Sequence, residues 1–189
     1  MDVPGVNLTA RAALVIDANA IATIYNEGIA DRIATFETEP RSAEQVTRWF
    51  DGCHPIVVVE DSDGAVLAFA STSPYRERAC YAGVAEFSVY VARRHRGTGA
   101  GRVAMAALID AATEAGFWKL ISRTFPENTA SLALMARMGF REVGVYNGTV
   151  SSMGNGATAL LSNGCLVTQH RDCCRSLDGG AQPLRPVSA

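Results

Sequence analysis

The stretch that decides the fold is residues 93–102, Arg93-Arg94-His95-Arg96-Gly97-Thr98-Gly99-Ala100-Gly101-Arg102. A strand pattern ends at Val91, just before this stretch, and a helical pattern follows it. Glycines let a backbone approach a ligand closely, and such a turn directs unpaired N–H groups at an anion on the positive end of the helix. Arg94, Arg96 and Arg102 add positive charge. The stretch therefore predicts a pyrophosphate site, although a surface turn with solvated arginines would have the same composition.

The elements around this loop alternate between strand and helix patterns. Before the loop, strands are predicted at 8–13, 56–60, 65–71 and 81–91, and helices from Asp17 and after Ser42. After it, the patterns predict a helix at 102–115, a strand at 118–124, a helix at 129–138 and a strand from Phe140. Ser42 and Gln45 form a capping-box pattern, and residues 61–64 form a hairpin-turn pattern. The fold class is therefore α/β (α+β).

Composition and charge exclude several classes of protein. The chain is 48% hydrophobic with a net charge of −2, which favours one globular domain and argues against a nucleic-acid binder. No apolar run approaches the ~20 residues of a membrane span, and Asp17 interrupts the first apolar stretch. We therefore expect no signal peptide, no membrane partner and a cytoplasmic location. The five cysteines and three histidines form no ligand cluster, so neither a metal site nor a disulfide is expected.

The loop and a second segment together resemble the GNAT superfamily of N-acetyltransferases. Residues 96–101 match that superfamily's coenzyme A pyrophosphate loop, RxxGxG. Residues 126–131, Pro-Glu-Asn-Thr-Ala-Ser, and then Gly139-Phe140 match the segment that meets the pantetheine arm and closes the next helix. The resemblance implies a mixed central sheet flanked by helices.

Within the superfamily the chain resembles the phosphinothricin acetyltransferase group over about residues 8–146. The stretches that carry this likeness are residues 24–26, 35–38 and 86–91. Residues 31–36, 73–76, 80–83 and 116–120 resemble, more narrowly, the arsenic-linked branch that acetylates arsinothricin. The resemblance implies a small-molecule acceptor, the α-amine of a glutamate-like amino acid, together with a detoxification or resistance role and a homodimer.

The resemblance also implies acetyl-CoA as cosubstrate. The residues expected to contact it are Val89, Val91, Arg94, Arg96, Gly97, Thr98, Gly99, Ala100, Gly101, Arg102, Asn128 and Ser131. Asn128 has a second interpretation as the N-cap of the helix that follows it, and both roles are compatible.

Glu86 is the candidate catalytic base. Strand alternation places Glu86, Ser88 and Tyr90 on one face, close to where the thioester would lie, and the resemblance gives Glu86 this role. An exposed strand carboxylate is the alternative interpretation. Backbone N–H groups near Val89 are candidates for holding the thioester oxygen. Many superfamily members have a tyrosine that protonates the departing sulfur, whereas this chain has Met135 at that position, which cannot donate a proton.

Five residues are candidates for binding the acceptor. Arg76 and Arg78 are two apart, so in an extended segment they would point the same way and clamp a carboxylate or a phosphorus or arsenic oxyanion. A solvated basic loop is the alternative. Phe36, Tyr75 and Tyr81 are candidate pocket walls, although aromatic residues also serve as plain packing.

The tail, residues 147–189, departs from the family, which normally ends with two more strands. The domain is therefore expected to span residues 1–146, with its last strand missing or replaced. Synonymous codons for residues 147–166, preceded by one additional C, encode QRHGQLDGQWRDCVIVERLL, which has the family's usual ending. This suggests a one-base deletion after the Tyr146 codon. Asn163-Gly164 predicts a local hairpin turn, and the chain from about Thr168 onward is expected to be disordered.

Two other functions remain open. A protein N-terminal acetyltransferase needs a groove open at both ends, which the sequence does not reveal. A coenzyme-A-binding module without turnover is compatible with Met135 and the altered tail.

Overall fold

The structure is a computed structural model that describes residues 7–152 and 160–170. The strands are β1 (Thr9–Ala12), β2 (Ile56–Glu60), β3 (Val66–Pro74), β4 (Val84–Val91), β5 (Lys119–Thr124), β6 (Arg141–Ser152) and β7 (Leu160–His170). The helices are α1 (Ala18–Asp31), α2 (Ala43–Thr47), α3 (Ala100–Glu114) and α4 (Thr129–Arg137). In the described ranges, no helix is long and apolar enough to cross a bilayer.

All seven strands belong to one mixed sheet in the order β1-β2-β3-β4-β5-β7-β6. Neighbouring strands are antiparallel except β4 and β5, which are parallel. A parallel pair needs a crossover connection, and the segment containing the glycine-rich loop and α3 provides it. The predicted mixed sheet with flanking helices is confirmed.

Helices α1 and α2 cover one face of the sheet. Tyr25 of α1 lies between Trp49 and Tyr90, with ring centroids 5.3 and 4.9 Å apart. Tyr90 in turn stacks on Phe69 of β3 at 5.2 Å. Burying an aromatic side chain of this kind stabilises a fold by about 1.5–3 kcal/mol, so this cluster fixes α1 over β3 and β4.

Helices α3 and α4 cover the opposite face. Leu108 of α3 and Met135 of α4 are buried there with Phe87 of β4 and Phe140. Phe87 and Tyr90 thus belong to opposite layers, which confirms the predicted alternation along β4.

Most predicted elements are present, with differences at their ends. The Ser42 N–H donates to Gln45 Oε1 at 2.8 Å and the Gln45 N–H to Ser42 Oγ at 3.2 Å, so the predicted capping box is confirmed. The strand predicted from Tyr81 begins instead at Val84, because Ala79–Tyr81 forms a 3-10 turn. Strand β3 runs on to Pro74, beyond its predicted end.

The tail completes the sheet at the level of its backbone. Strand β6 continues past residue 146 to Ser152, and β7 lies between β5 and β6 and pairs with both. Residues 160–170 therefore occupy the place of the strand expected to be missing or replaced. The turn predicted at Asn163-Gly164 is wrong, because both residues lie inside β7 and Gly164 is opposite Tyr146. Most of the segment predicted to be disordered, residues 171–189, lies outside the described residues.

Candidate functional site

A gap opens where β4 and β5 separate. Their pairing ends at Glu86 opposite Ile121. Strand β4 nevertheless continues to Val91 while paired with β3, and β5 continues to Thr124 while paired with β7. We call the space between these two continuing segments the β4–β5 gap.

The backbone of β4 presents alternate residues to this gap. The Ala92 N–H donates to Leu67 O at 2.8 Å, so the backbone N–H and C=O groups of even-numbered residues in β4 point towards β3. Gly83 O accepts from the N–H groups of Trp118 and Lys119, so odd-numbered residues face β5. The backbone groups of Val89 and Val91, both predicted to contact the cosubstrate, therefore face the gap.

The glycine-rich loop lies at the end of β4 and leads into α3. A 3-10 turn, Arg93–His95, is followed by the loop, in which Gly97 has φ +79° and Gly99 has φ +95°. The Thr98 hydroxyl donates to His95 O at 2.7 Å and holds the turn. Helix α3 begins at Ala100, whose N–H is in the first turn, where a helix has no internal acceptor. The N–H groups and the helix dipole together suit a phosphate.

Close packing sets the position of the first turn of α3. A Cβ placed on Gly101 would lie 3.2 Å from Val91 Cγ2 and 3.4 Å from Leu134 Cδ2. Residue 101 thus brings α3 close to both β4 and α4. The predicted loop residues from 96 to 102 lie together at the end of the β4–β5 gap.

The three predicted arginines of the loop have different surroundings. Arg96 Nη2 lies 2.6 Å from Asp31 Oδ2 at the end of α1, and its Nε donates to Val91 O at 3.3 Å. Arg94 and Arg102 are exposed. Arg96 therefore joins the loop to α1, a contact that the sequence analysis missed.

Acidic residues of α1 anchor the start of the loop. Glu27 accepts from the Arg93 N–H at 2.6 Å, and Asp31 Oδ1 accepts from Arg93 Nη2 at 2.6 Å. Burial opposes ionisation of Asp31, but hydrogen bonds from Arg96 and Arg93 outweigh it and hold the pKa of this carboxyl below its ordinary value. The spacing of Glu27 and Asp31 by one helical turn is the only sequence signal for this arrangement.

Asn128 connects α4 to the segment after α1. Its Oδ1 accepts from the Ser131 N–H at 3.1 Å, which confirms the predicted N-cap. Its Nδ2 also donates to Ile33 O at 2.9 Å. The predicted contact of Asn128 and Ser131 with the cosubstrate stays a prediction.

The hydroxyl groups of two tyrosines also hold the segment after α1. The Tyr25 hydroxyl lies 3.2 Å from Thr35 Oγ1, and the Tyr90 hydroxyl donates to Ala34 O at 3.2 Å. Burial raises the pKa of Tyr90, which therefore stays protonated and keeps this hydrogen bond. These hydrogen bonds thus fix residues 33–36 beside the N-terminus of α4.

Glu86 is paired with an arginine that the sequence analysis did not single out. Arg123 Nε donates to Glu86 Oε1 at 2.9 Å, and Arg123 Nη2 donates to Glu86 Oε2 at 2.7 Å. A carboxylate has about four lone-pair sites, so both oxygens can still accept from another donor. One sequence signal was available, since Arg123 is a charged residue inside the predicted strand 118–124.

The predicted acceptor residues form two groups at different ends of the site. The Tyr75 and Tyr81 rings meet edge to face at 5.5 Å, and the Arg76 guanidinium lies 5.3 and 6.0 Å from their centroids. Phe36 packs against Phe125, just beyond the end of β5, with ring centroids 4.5 Å apart.

The paired clamp of Arg76 and Arg78 rested on an extended segment, and that premise is not met. The chain bends at Tyr75, Glu77 and Arg78, and Arg78 is the residue just before the 3-10 turn Ala79–Tyr81. Met135 is 3% exposed in the α3–α4 layer, so its side chain belongs to the core.

Comparison with known proteins identifies the class of enzyme. Residues 21–140 match the family described as Acetyltransferase (GNAT) family. The chain therefore belongs to this family and is an N-acetyltransferase.

Particular relatives narrow the similarity further. The chain is 33% identical to the phosphinothricin N-acetyltransferase of Streptomyces coelicolor over 142 residues, covering 72% of this chain and 83% of the relative. It is 34% identical to the L-methionine sulfoximine/L-methionine sulfone acetyltransferase of Pseudomonas paraeruginosa, covering 69% and 78%. The crystal structure of a phosphinothricin acetyltransferase from Sinorhizobium meliloti in complex with acetyl-CoA superposes with a TM-score of 0.77 at 28% identity, covering 86% and 88%.

Proposed function

We propose that this enzyme transfers the acetyl group of acetyl-CoA to the α-amine of a glutamate-like amino acid bearing a phosphinate or trivalent-arsenic group. The observation that carries the proposal is the position of Glu86, at the point where β4 and β5 separate and on the strand that leads to the glycine-rich loop. The names of the relatives from Streptomyces coelicolor and Pseudomonas paraeruginosa support this class of acceptor.

The glycine-rich loop is proposed to hold the pyrophosphate of acetyl-CoA. The N–H groups of Gly97, Gly99, Ala100 and Gly101 suit two phosphates, and the exposed cations Arg94 and Arg102 add countercharge. The pantetheine arm would run along the β4–β5 gap, where the peptide groups of Val89 and Val91 are its partners. Asn128 and the Ser131 side of α4 would border the arm.

Glu86 is proposed to accept a proton from the acceptor amine, which is mostly protonated near neutral pH. Bound acetyl-CoA supplies the acetyl group, so a C–N bond forms as the C–S bond breaks and the electron pair leaves with the sulfur. The Val89 N–H, whose peptide group faces the gap, is proposed to hold the thioester oxygen. Met135 offers no proton, and a thiol pKa of about 8.5 allows the thiolate to leave unassisted.

The acceptor is proposed to lie between the two groups of aromatic residues. Phe36 would form one wall, and Tyr75 and Tyr81 the other. Arg76 and Arg78, which need not act as a parallel pair, would hold the phosphorus or arsenic oxyanion.

The narrower assignments rest on the sequence. The stretches 31–36, 73–76, 80–83 and 116–120 support arsinothricin as the acceptor and arsenic resistance as the role. We also propose that the protein is a cytoplasmic homodimer, with the acetyltransferase domain at residues 1–146 and an atypical tail that adds β7 to its sheet.

We infer that residues 147–189 result from a one-base deletion after the Tyr146 codon. The support is the family-like ending obtained from synonymous codons for residues 147–166. Sequencing the gene is the test. An intact reading frame, with the same tail in close relatives, would refute this inference.

The central experiment is release of free thiol from acetyl-CoA with phosphinothricin, arsinothricin and methionine sulfoximine as acceptors. It is run on this chain and on a version with the restored C-terminal frame. Turnover by both supports the proposed function and ranks the acceptors. Turnover only after restoration assigns the defect to the tail. Coenzyme A binding without turnover of any amine by either version would overturn the proposal in favour of a binding module.

A further inference from the structure

Arg123 lies where β4 and β5 separate, and its side chain reaches back to the candidate base. It is two residues beyond Ile121, the last residue of β5 paired with β4. Its Nε and Nη2 atoms lie 2.9 and 2.7 Å from the two oxygens of Glu86. The site thus holds a hydrogen-bond donor and a hydrogen-bond acceptor, of opposite charge, side by side.

We propose that Arg123 binds the α-carboxylate of the amino-acid acceptor, next to the α-amine that Glu86 deprotonates. This inference rests on the function proposed above. An amino acid carries its amine and its carboxylate on the same carbon, so the two groups lie within hydrogen-bond distance of each other. A site that recognises both must present an acceptor beside a donor, and Glu86 with Arg123 forms such a pair.

The pair is accessible to an acceptor. The side chain of Arg123 is 54% exposed and that of Glu86 is 22% exposed. Exposed ion pairs of this kind contribute little to the stability of a fold. Replacing Arg123 is therefore expected to change recognition more than folding.

Binding exchanges the partners of Arg123 without any covalent change. The acceptor's carboxylate takes N–H groups of the guanidinium, whose planar fork matches a carboxylate. The Glu86 oxygen released in this exchange then accepts from the neighbouring amine. Arg76 follows Pro74, which pairs with Ala85 near the start of β4, whereas the gap lies along the rest of β4. Arg76 therefore remains available for the oxyanion on the side chain of the acceptor.

The test compares an acceptor with its own α-carboxamide, in the wild-type enzyme and in Arg123→Gln. The acceptor is the one with the highest kcat/KM in the thiol-release panel. Losing charged hydrogen bonds should lower kcat/KM for the free acid about 10- to 100-fold, mainly through KM, and leave the carboxamide within about threefold of its wild-type value. Arg123→Lys should be intermediate for the acid, because it keeps the charge and loses the fork.

Arg48→Gln is the matched control, because Arg48 also pairs with a glutamate, Glu44, but on the exposed side of α2. It should leave both acceptors unaffected. Coenzyme A binding and the thermal unfolding midpoint of each variant report whether the fold is retained.

Two results would overturn this inference without affecting the proposed function. The first is an equal loss for acid and carboxamide in Arg123→Gln, which would make Arg123 a residue that only positions Glu86. The second is a wild-type enzyme that does not distinguish acid from carboxamide. Failure of the wild-type enzyme with every amine would instead remove the proposed function, and this inference with it.

Discussion

Gly101→Ala is expected to weaken acetyl-CoA binding while leaving the stability of the fold nearly unchanged. The added Cβ would lie 3.2 Å from Val91 Cγ2 and 3.4 Å from Leu134 Cδ2. The first distance is clearly shorter, and the second slightly shorter, than an ordinary carbon–carbon contact of about 3.5–4.0 Å. Either the Val91 side chain or the first turn of α3 must therefore give by a few tenths of an ångström, and we expect the helix turn to move away from β4.

Two contributions to stability oppose each other in this variant. Alanine is favoured over glycine inside a helix by about 0.5–1 kcal/mol, and the crowding against Val91 and Leu134 should cost about 1 kcal/mol, the low end for an added methylene, because the helix can yield. The net change should stay within about 0.5 kcal/mol, which shifts the unfolding midpoint by no more than about 2 °C.

The same shift moves the N–H groups that face the proposed phosphate site. Hydrogen bonds to charged groups are about twice as strong as neutral ones, so a loss of about 1 kcal/mol is expected. That loss raises the KM for acetyl-CoA about fivefold, with the acceptor KM unchanged. Steady-state thiol release and thermal unfolding measure the two quantities separately.

Gly116→Ala serves as the control, because Gly116 follows the other end of α3. Its φ of +87° disfavours alanine, although, in the part of the chain that the structure describes, the added Cβ would have only its chain neighbours within 4 Å. It should lower the unfolding midpoint and leave the KM for acetyl-CoA unchanged. If Gly101→Ala also keeps the wild-type KM within twofold, then the close approach of α3 to β4 does not set the donor positions.

Three further variants test the base, the anchor of the loop and the cap of α4. Glu86→Gln should lower kcat in the thiol-release assay by about 100-fold or more without changing coenzyme A binding, and a kcat within threefold of wild type would place the base elsewhere. Asp31→Asn should cost about 1 kcal/mol of unfolding free energy at pH 7. Folding lowers the pKa of Asp31 below its ordinary value of 3.8, so this cost should shrink as the pH falls below 3.8. Urea unfolding at pH 7, 5 and 3 measures the cost, and a cost that stayed constant would contradict the ion pairs. Asn128→Ala should lose about 1 kcal/mol of stability. Asn128→Asp keeps the acceptor for the Ser131 N–H, so thermal unfolding should show a smaller loss. Equal losses in the two variants would instead assign the effect to the hydrogen bond with Ile33 O.

The parts of the site that the sequence predicted are those encoded by neighbouring residues. The order of strand, glycine-rich loop and helix is local, so residues 93–102 predicted both the turn and the helix that follows. The period of two along β4 likewise placed Glu86 and Tyr90 on the face opposite Phe87.

The parts that the sequence did not predict depend on contacts between distant segments. Glu86 and Arg123 are 37 residues apart, and Arg93 and Asp31 are 62 apart. Such pairs follow from the register of β4 against β5 and from the position of α1, neither of which has a local pattern.

The tail shows the opposite case, in which a local signal was misleading. Asn163-Gly164 is a strong turn dipeptide, but the chain there is a strand paired with neighbours on both sides. Pairing along two edges stabilises the extended backbone more than one local turn does.

The order of strands has a consequence for synthesis on the ribosome. Strand β6 is an edge strand that reaches the rest of the sheet only through β7, which is made after it. Until residue 170 has left the exit tunnel, β5 presents an unpaired edge to solvent. A nascent chain stalled before that point would hold a finished layer of α1 and α2 beside an edge open to other chains, so chaperone capture is expected in that interval.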